Sequence, residues 1–313
     1  MSRETAIALA LGALSGACLL SLASDSLGAL ILVYMSPLPL FLTGLMFGMP
    51  KAAAAMAAGA AVSAIYGLAT VMPYVGLIAI PTAILIRPAL LYRATSEGAV
   101  EWYPPGRLLI WLAAIAAAGF LLASLGARLG GVPGGLPGVF EPRLLAVLRH
   151  FDSHDLGGSP TELAARLAAI MPGAIAAMWM LLTAANGILA QGLAVRLQRN
   201  IRPSPKIEAI LLPRRLFYAL GAAIIGAFLP GEVGYIGATL AVILAVPFFF
   251  QGLSVVHALA RRSKMPGLVL GSFYVFLLLS GGQILAVLIT AVGLIEQWAG
   301  FRRMMGGHGE EGR

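Results

Sequence analysis

The chain has 313 residues, of which 59% are hydrophobic and only 11% charged, and its mean hydropathy is +0.91. Water-soluble domains carry roughly 25% charged residues, so this composition excludes an ordinary soluble fold and predicts an all-α, polytopic transmembrane helical bundle. The net charge of +8 lies in short segments between apolar runs, the positive-inside pattern of a membrane protein rather than a surface for nucleic acid.

The first apolar run, 6–23, is longer than the core of a cleaved signal, and Arg3 is offset by Glu4. It is therefore expected to stay as the first transmembrane helix. Cys18, the single cysteine, excludes an internal disulfide or a cysteine metal cluster and reads as a small buried hydrophobe. The second run, 27–49, reads LGALILVYMSPLPLFLTGLMFGM and exceeds the about 20 residues needed to cross a bilayer. Pro37 and Pro39 sit near its middle, and each removes a backbone donor and clashes with the preceding turn. Carbonyls freed there must be covered by neighbouring helices or line a polar cavity. Broken helices at membrane depth are where transporters often hold substrate.

Runs 52–71 and 74–92 follow with links of a few residues, so the first four helices are expected to be antiparallel neighbours. Small residues recur at four-residue spacing (Ala6 and Ala10, Gly12 and Gly16, Gly44 and Gly48, Gly59 and Ser63), which lets helix backbones approach closely. Pro81 and Pro88 are expected to bend the fourth run, and Arg87 to snorkel to the interface. A polar connection follows with Arg93, Glu97, Glu101, Trp102 and Tyr103, its two aromatics suited to the headgroup belt. A fifth helix is predicted over 108–127.

The segment 128–170 is the one long extramembrane excursion. It opens with GGVPGGLPG, unsuited to helix or strand, and divides an N-terminal membrane half, 1–127, from a C-terminal half, 171–303, with a polar tail at 304–313. Within it Leu144, Leu145, Leu148 and Phe151 share a helical face suited to the membrane surface. Ser159-Pro160-Thr161-Glu162 is a helix start with a capping serine, leading into a sixth span that ends near Val195. A basic link holds Arg196, Arg199, Arg202, Lys206, Arg214 and Arg215 against Glu208. Spans are predicted near 214–229 and 234–260, closed by Arg261, Arg262 and Lys264. The last run, 266–299, is broken at Ser280-Gly281-Gly282 and reads as a tight pair of short helices. About ten crossings result, with both termini at the cytoplasmic face of a bacterial inner membrane. That arrangement leaves Arg128, Arg143, Arg149 and Arg166 outside, and puts the other basic residues, Arg302, Arg303 and Arg313 among them, inside.

Candidate chemistry is sparse. Leu279 to Gln283 spells LSGGQ, but between apolar runs and without a glycine-preceded lysine for phosphate it reads as a turn in the membrane. His150, Asp152, His154 and Asp155 have the residue types of a cation site, yet a glycine-flanked loop offers no preset geometry, and a solvated polar loop is expected. Acidic residues Asp25, Glu232 and Glu296 fall at span ends, which counts against proton relays. No catalytic residue, metal or cofactor is predicted, and no enzyme activity. The polar side chains left within the spans are Asn186, Gln191, Gln251, Ser254, His257 and Gln283, with Ser36 beside the prolines. They are expected to bond between helices or to converge on a pocket.

The SPLPL of the second helix, Leu212-Pro213-Arg214, Gln251-Gly252-Leu253-Ser254-Val255, and Gly293-Leu294-Ile295-Glu296 with Arg302-Arg303 together give the chain its resemblance to the YybS-like family of bacterial membrane proteins, a domain of unknown function. Over its first five or six helices that family is similar to the substrate-capturing membrane subunits of energy-coupling-factor vitamin transporters. The resemblance implies a first helix that meets a coupling subunit through small residues, matched here by Ala6, Ala10, Ala13 and Ala17. The reading is a small-molecule binding or transport component whose ligand lies near Ser36, Pro37, Pro39, Asn186, Gln251, His257 and Gln283, with membrane lipids as further partners. The alternative is a scaffold or assembly factor that recruits a cytoplasmic protein through the basic link.

Overall fold

The computed structural model describes residues 2–21, 26–96, 98–151, 159–279 and 282–300. They form helices almost throughout. Helix α1 (Arg3–Leu20) is capped by Ser2, whose hydroxyl accepts from the Thr5 N–H at 3.3 Å, with Glu4 in the first turn, where a negative charge favours the helix dipole. Helices α2 (Leu27–Met35) and α3 (Pro37–Phe47) follow, with Ser26 capping α2.

The paired prolines do not split this run into separate half-helices. Ser36 keeps right-handed helical dihedrals, φ −52° and ψ −36°, and 28–47 forms one helix of spanning length. Pro37 and Pro39 fall in the first turn of α3, where a missing N–H is tolerated.

Helix α4 (Met49–Ser63) ends in a 3₁₀ turn at Ala64–Tyr66. The next helix starts earlier than the sequence pattern suggests, because Gly67, at φ +112°, takes a conformation that L side chains rarely adopt. From there α5 (Leu68–Tyr74), a π-helical turn (Val75–Ala79) and α6 (Ile80–Ala89) form one span. The polar connection holds a two-stranded antiparallel hairpin, β1 (Tyr92–Ala94) and β2 (Val100–Trp102), pairing Arg93 with Glu101. Glu97 lies outside the described residues.

Helix α7 (Pro105–Leu129) precedes the excursion, and α8 (Pro137–Leu148) begins seven residues before Leu144, the first of the predicted apolar face, since Pro137 suits a first turn. Phe151 lies beyond its end. Helix α9 (Pro160–Arg196) starts as predicted, with the Glu162 N–H donating to Ser159 Oγ at 3.2 Å, and runs through Pro172. Helices α10 (Arg214–Ala227), α11 (Gly231–Ala260), α12 (Pro266–Leu279) and α13 (Gln283–Ala299) complete the chain. Gly282, at φ +65°, precedes α13; its neighbours Ser280 and Gly281 lie outside the described residues, as does the tail from 301.

Among the described residues, six helical stretches are long and apolar enough to cross a membrane: Arg3–Leu20, Gly28–Phe47, Leu68–Ala89, Pro105–Leu129, Pro160–Arg196 and Gly231–Ala260. The remaining expected crossings correspond to shorter helices, α4, α10, α12 and α13.

The chain packs into two compact units. The first takes 1–112 and 181–209, the second 113–180 and 210–313. The described residues of the excursion therefore belong to the second unit. In the first unit α1 lies against α4 so closely that a methyl group on Gly12 would stand 1.9 Å from the Ala55 carbonyl oxygen. Leu19, Leu40, Ala55, Tyr74, Ile78 and Ala79 form a buried apolar cluster beside that crossing. In the second unit α11 crosses α13 at Gly252 and Gly293, where added methyl groups would meet the Ile289 and Phe248 carbonyl oxygens, each at 1.9 Å. Lipid supplies no hydrophobic drive between helices, so backbone-close packing of this kind holds such units together.

Candidate functional site

In the first unit the polar groups gather at the proline pair. Pro37 cannot donate to the Val33 carbonyl; the Ser36 N–H does so instead, at 3.1 Å. Ser15 Oγ donates to the Ser36 carbonyl and Ser36 Oγ to the Ser15 carbonyl, both at 2.7 Å. Tyr74 Oη donates to Ser15 Oγ at 3.1 Å. All three side chains are fully buried. Protein groups thus cover the Val33 and Ser36 carbonyls beside the prolines, as burial in lipid requires.

Two residues before Ser36, the Tyr34 carbonyl is reached by Asn186 of α9. Its Nδ2 donates to Tyr34 O and to Leu182 O, both at 2.8 Å. That pairing determines the amide orientation, because a flipped oxygen would face two carbonyls. Asn186 is only 4% exposed, and its Oδ1 has no hydrogen-bond partner. An unsatisfied buried acceptor costs about 1–3 kcal/mol, so a further donor at this atom, from water or a bound molecule, would be stabilising.

Also in the first unit, the basic link is anchored by one of its own members. Arg202, expected on the surface with its neighbours, is 4% exposed. Its Nη1 donates to the Ala89 carbonyl at 2.8 Å, and its guanidinium carbon stands 5.8 Å from the Trp102 ring centroid. Gln191 Nε2 and Asn200 Nδ2 donate to the Arg202 carbonyl at 2.9 and 2.8 Å. Burial pushes the guanidinium below its usual value. Arg196, Arg199 and Lys206 remain exposed.

The second unit holds Gln251, His257 and Gln283. Gln251 is buried, and Gln297 Nε2 donates both to its Oε1 at 3.3 Å and to the Leu212 carbonyl at 3.2 Å. Ser254 Oγ donates to the Gln251 carbonyl at 2.6 Å. His257 is half-buried, with Nδ1 3.0 Å from the Leu253 carbonyl and its ring 5.9 Å from that of Tyr274. Gln283 is exposed at the start of α13. Three motifs far apart in sequence, 212–214, 251–255 and 293–296, therefore meet through Gln251, Gln297 and the Gly252–Gly293 crossing.

Ser36 and Gln251 stand out in the sequence, but not their partners Ser15 and Gln297, nor Tyr74, which bonds to Ser15. Ser15 carries a signal in its place beside Gly12 and Gly16 on the small-residue face of α1. Tyr74 and Gln297 carry none, because each looks like an interfacial residue at a helix end. Of the small residues expected to meet a partner, Ala6, Ala10 and Ala17 are exposed on α1 and Ala13 is half-buried. Of the loop cluster His150, Asp152, His154 and Asp155, only His150 is among the described residues, its Nδ1 2.8 Å from the Ala146 carbonyl.

Apolar helices of spanning length, backbone-close crossings and buried polar pairs define a polytopic α-helical membrane protein. Residues 156–296 match a family model described as "Predicted membrane protein (DUF2232)". That match covers most of the second unit and supports a membrane-protein domain of unknown function. Searches of curated proteins and of solved structures return no match.

Proposed function

We propose that this protein is a membrane-embedded binding component for a small, mostly apolar molecule, held in the first unit beside Ser36, Pro37, Pro39 and Asn186. One observation carries the reading: the buried Asn186 Oδ1, on an amide bonded to the carbonyl of Tyr34 in the helix just before the proline pair, has no donor. A ligand that presents a single neutral N–H or O–H there would satisfy it, while its apolar remainder suits the surrounding helices. The resemblance to the YybS-like family, whose first helices are similar in fold to substrate-capturing transporter subunits, implies the same class of role. Binding, not catalysis, is the proposed activity, and the proposed setting is a bacterial inner membrane with both termini cytoplasmic. Gln251, His257 and Gln283 lie in the second unit, and the reading does not depend on them.

The test is purification of the full chain in mild detergent, mass spectrometry of co-purifying small molecules, and thermal-shift measurements against a panel of vitamins and lipid precursors. The expected result is a retained or stabilising compound whose effect is lost in Asn186→Leu. A ligand-free preparation that no panel member stabilises would overturn the proposal.

A second reading, a scaffold that recruits a cytoplasmic protein, is favoured by the exposure of Arg196, Arg199 and Lys206. Crosslinking from Lys206 to one defined protein would support it. With Arg202 buried, that residue offers no point of attachment.

A further inference from the structure

Away from the proline pair, the first unit carries a cleft of about 240 Å³ lined by Tyr92, Arg93, Glu101, Trp102, Tyr103 and Arg107, among others. We propose that this cleft receives the phosphate of an anionic phospholipid headgroup.

Position is the first argument. The cleft belongs to the connection between Leu68–Ala89 and Pro105–Leu129, two stretches of spanning length, so it stands where the hydrocarbon ends and headgroups begin. Its aromatic walls have the chemistry of that level: Tyr92 packs on Trp102 with ring centroids 5.3 Å apart, and Trp111 Nε1 donates to Tyr103 Oη at 3.2 Å. Tyrosine and tryptophan are enriched there because their rings are apolar and their tips polar.

Charge is the second argument. Arg107 stands 6.0 Å over the Tyr103 ring, and among the described residues no carboxylate pairs with it. Arg93 pairs with Glu101 at 2.6 Å, but both side chains are more than half exposed, and an exposed pair of that kind is weak enough to yield to a phosphate. Behind the aromatic wall the buried Arg202 adds a third cation against Trp102 and the Tyr103 carbonyl, and its Nε has no hydrogen-bond partner. The N-terminal turn of α7, a 25-residue helix that begins at Pro105, adds the positive end of its dipole on the same side. Three guanidinium groups, one carboxylate and a helix N-terminus give the cleft a positive field at the membrane surface, where anionic lipids concentrate. A free phosphate ester offers the same group; the attachment of the cleft to two spans favours the lipid.

The experiment uses the full chain in neutral detergent, exposed to phosphatidylglycerol, to phosphatidylcholine, or to inorganic phosphate, with retention read by native mass spectrometry. The protein is expected to keep phosphatidylglycerol in preference to phosphatidylcholine. Arg107→Gln is expected to reduce that retention about fivefold and Arg93→Gln by a smaller factor, with the loss growing as salt is lowered. Both side chains are exposed, so both variants should fold; if one aggregates, the other carries the test. Retention unchanged in the variants, or equal retention of phosphatidylcholine, would overturn the proposal. Arg107-dependent binding of inorganic phosphate without any preference between the two lipids would make the cleft a soluble-phosphate site and would equally overturn the lipid assignment.

Discussion

Ser15 and Ser36, on helices adjacent in the fold, exchange hydrogen bonds: each hydroxyl donates to the other's carbonyl oxygen at 2.7 Å, and neither side chain is exposed. The exchange ties α1 to the proline pair and gives the Ser36 carbonyl a donor that does not come from its own helix. Tyr74 then donates to the Ser15 hydroxyl, bringing a third helix to the same point.

Removing either hydroxyl leaves a buried carbonyl with one donor fewer. Ser15→Ala and Ser36→Ala should each lower stability in detergent by about 1 kcal/mol, near the upper range for interhelical hydrogen bonds in membranes. Because the two hydroxyls also lie 3.3 Å from each other, either variant alone loses that shared contact, and the double variant should cost less than the sum. Additive thermal shifts would mean that the exchange does not act as a unit.

The α11–α13 crossing makes a steric prediction. Gly252→Val or Gly293→Val must push apart two backbones that leave no room for a methyl group, at a cost of about 1–3 kcal/mol or more. Gly119→Ala, with nothing within 4 Å of the new methyl, should be neutral or slightly stabilising through helix propensity. Thermal unfolding followed by size-exclusion chromatography separates the outcomes, and equal melting points for Gly252→Val and Gly119→Ala would refute the crossing.

Arg202 tests whether the basic link is anchored. Lysine keeps the charge but cannot reproduce a planar guanidinium that bonds the Ala89 carbonyl while standing over the Trp102 ring. Arg202→Lys should therefore lower stability by about 1–2 kcal/mol and raise proteolysis between residues 197 and 213 relative to wild type. Unchanged cleavage there would show that the link is held by other contacts.

The proposed topology places the C-terminal tail in the cytoplasm. With Cys18 buried, a Gly306→Cys variant should react with a membrane-impermeant thiol reagent only after the cells are opened. Labelling of intact cells from the periplasmic side would remove one crossing.

From the sequence alone the apolar runs, their approximate limits, the helix start at Ser159 and the short final pair could be read, because bilayer thickness and backbone hydrogen bonding set those features locally. Tertiary structure decided which helix meets which. Gly12 meets Ala55, Gly252 meets Gly293, and Ser15 meets Ser36; such partners are unmarked in sequence because spans of similar composition are interchangeable to lipid, and only the fit of small side chains and scattered hydroxyls tells them apart. The burial of Arg202 belongs to the same class: its local sequence is that of a solvated basic link, and only carbonyls about a hundred residues away, brought alongside by folding, make an interior position for a guanidinium tolerable.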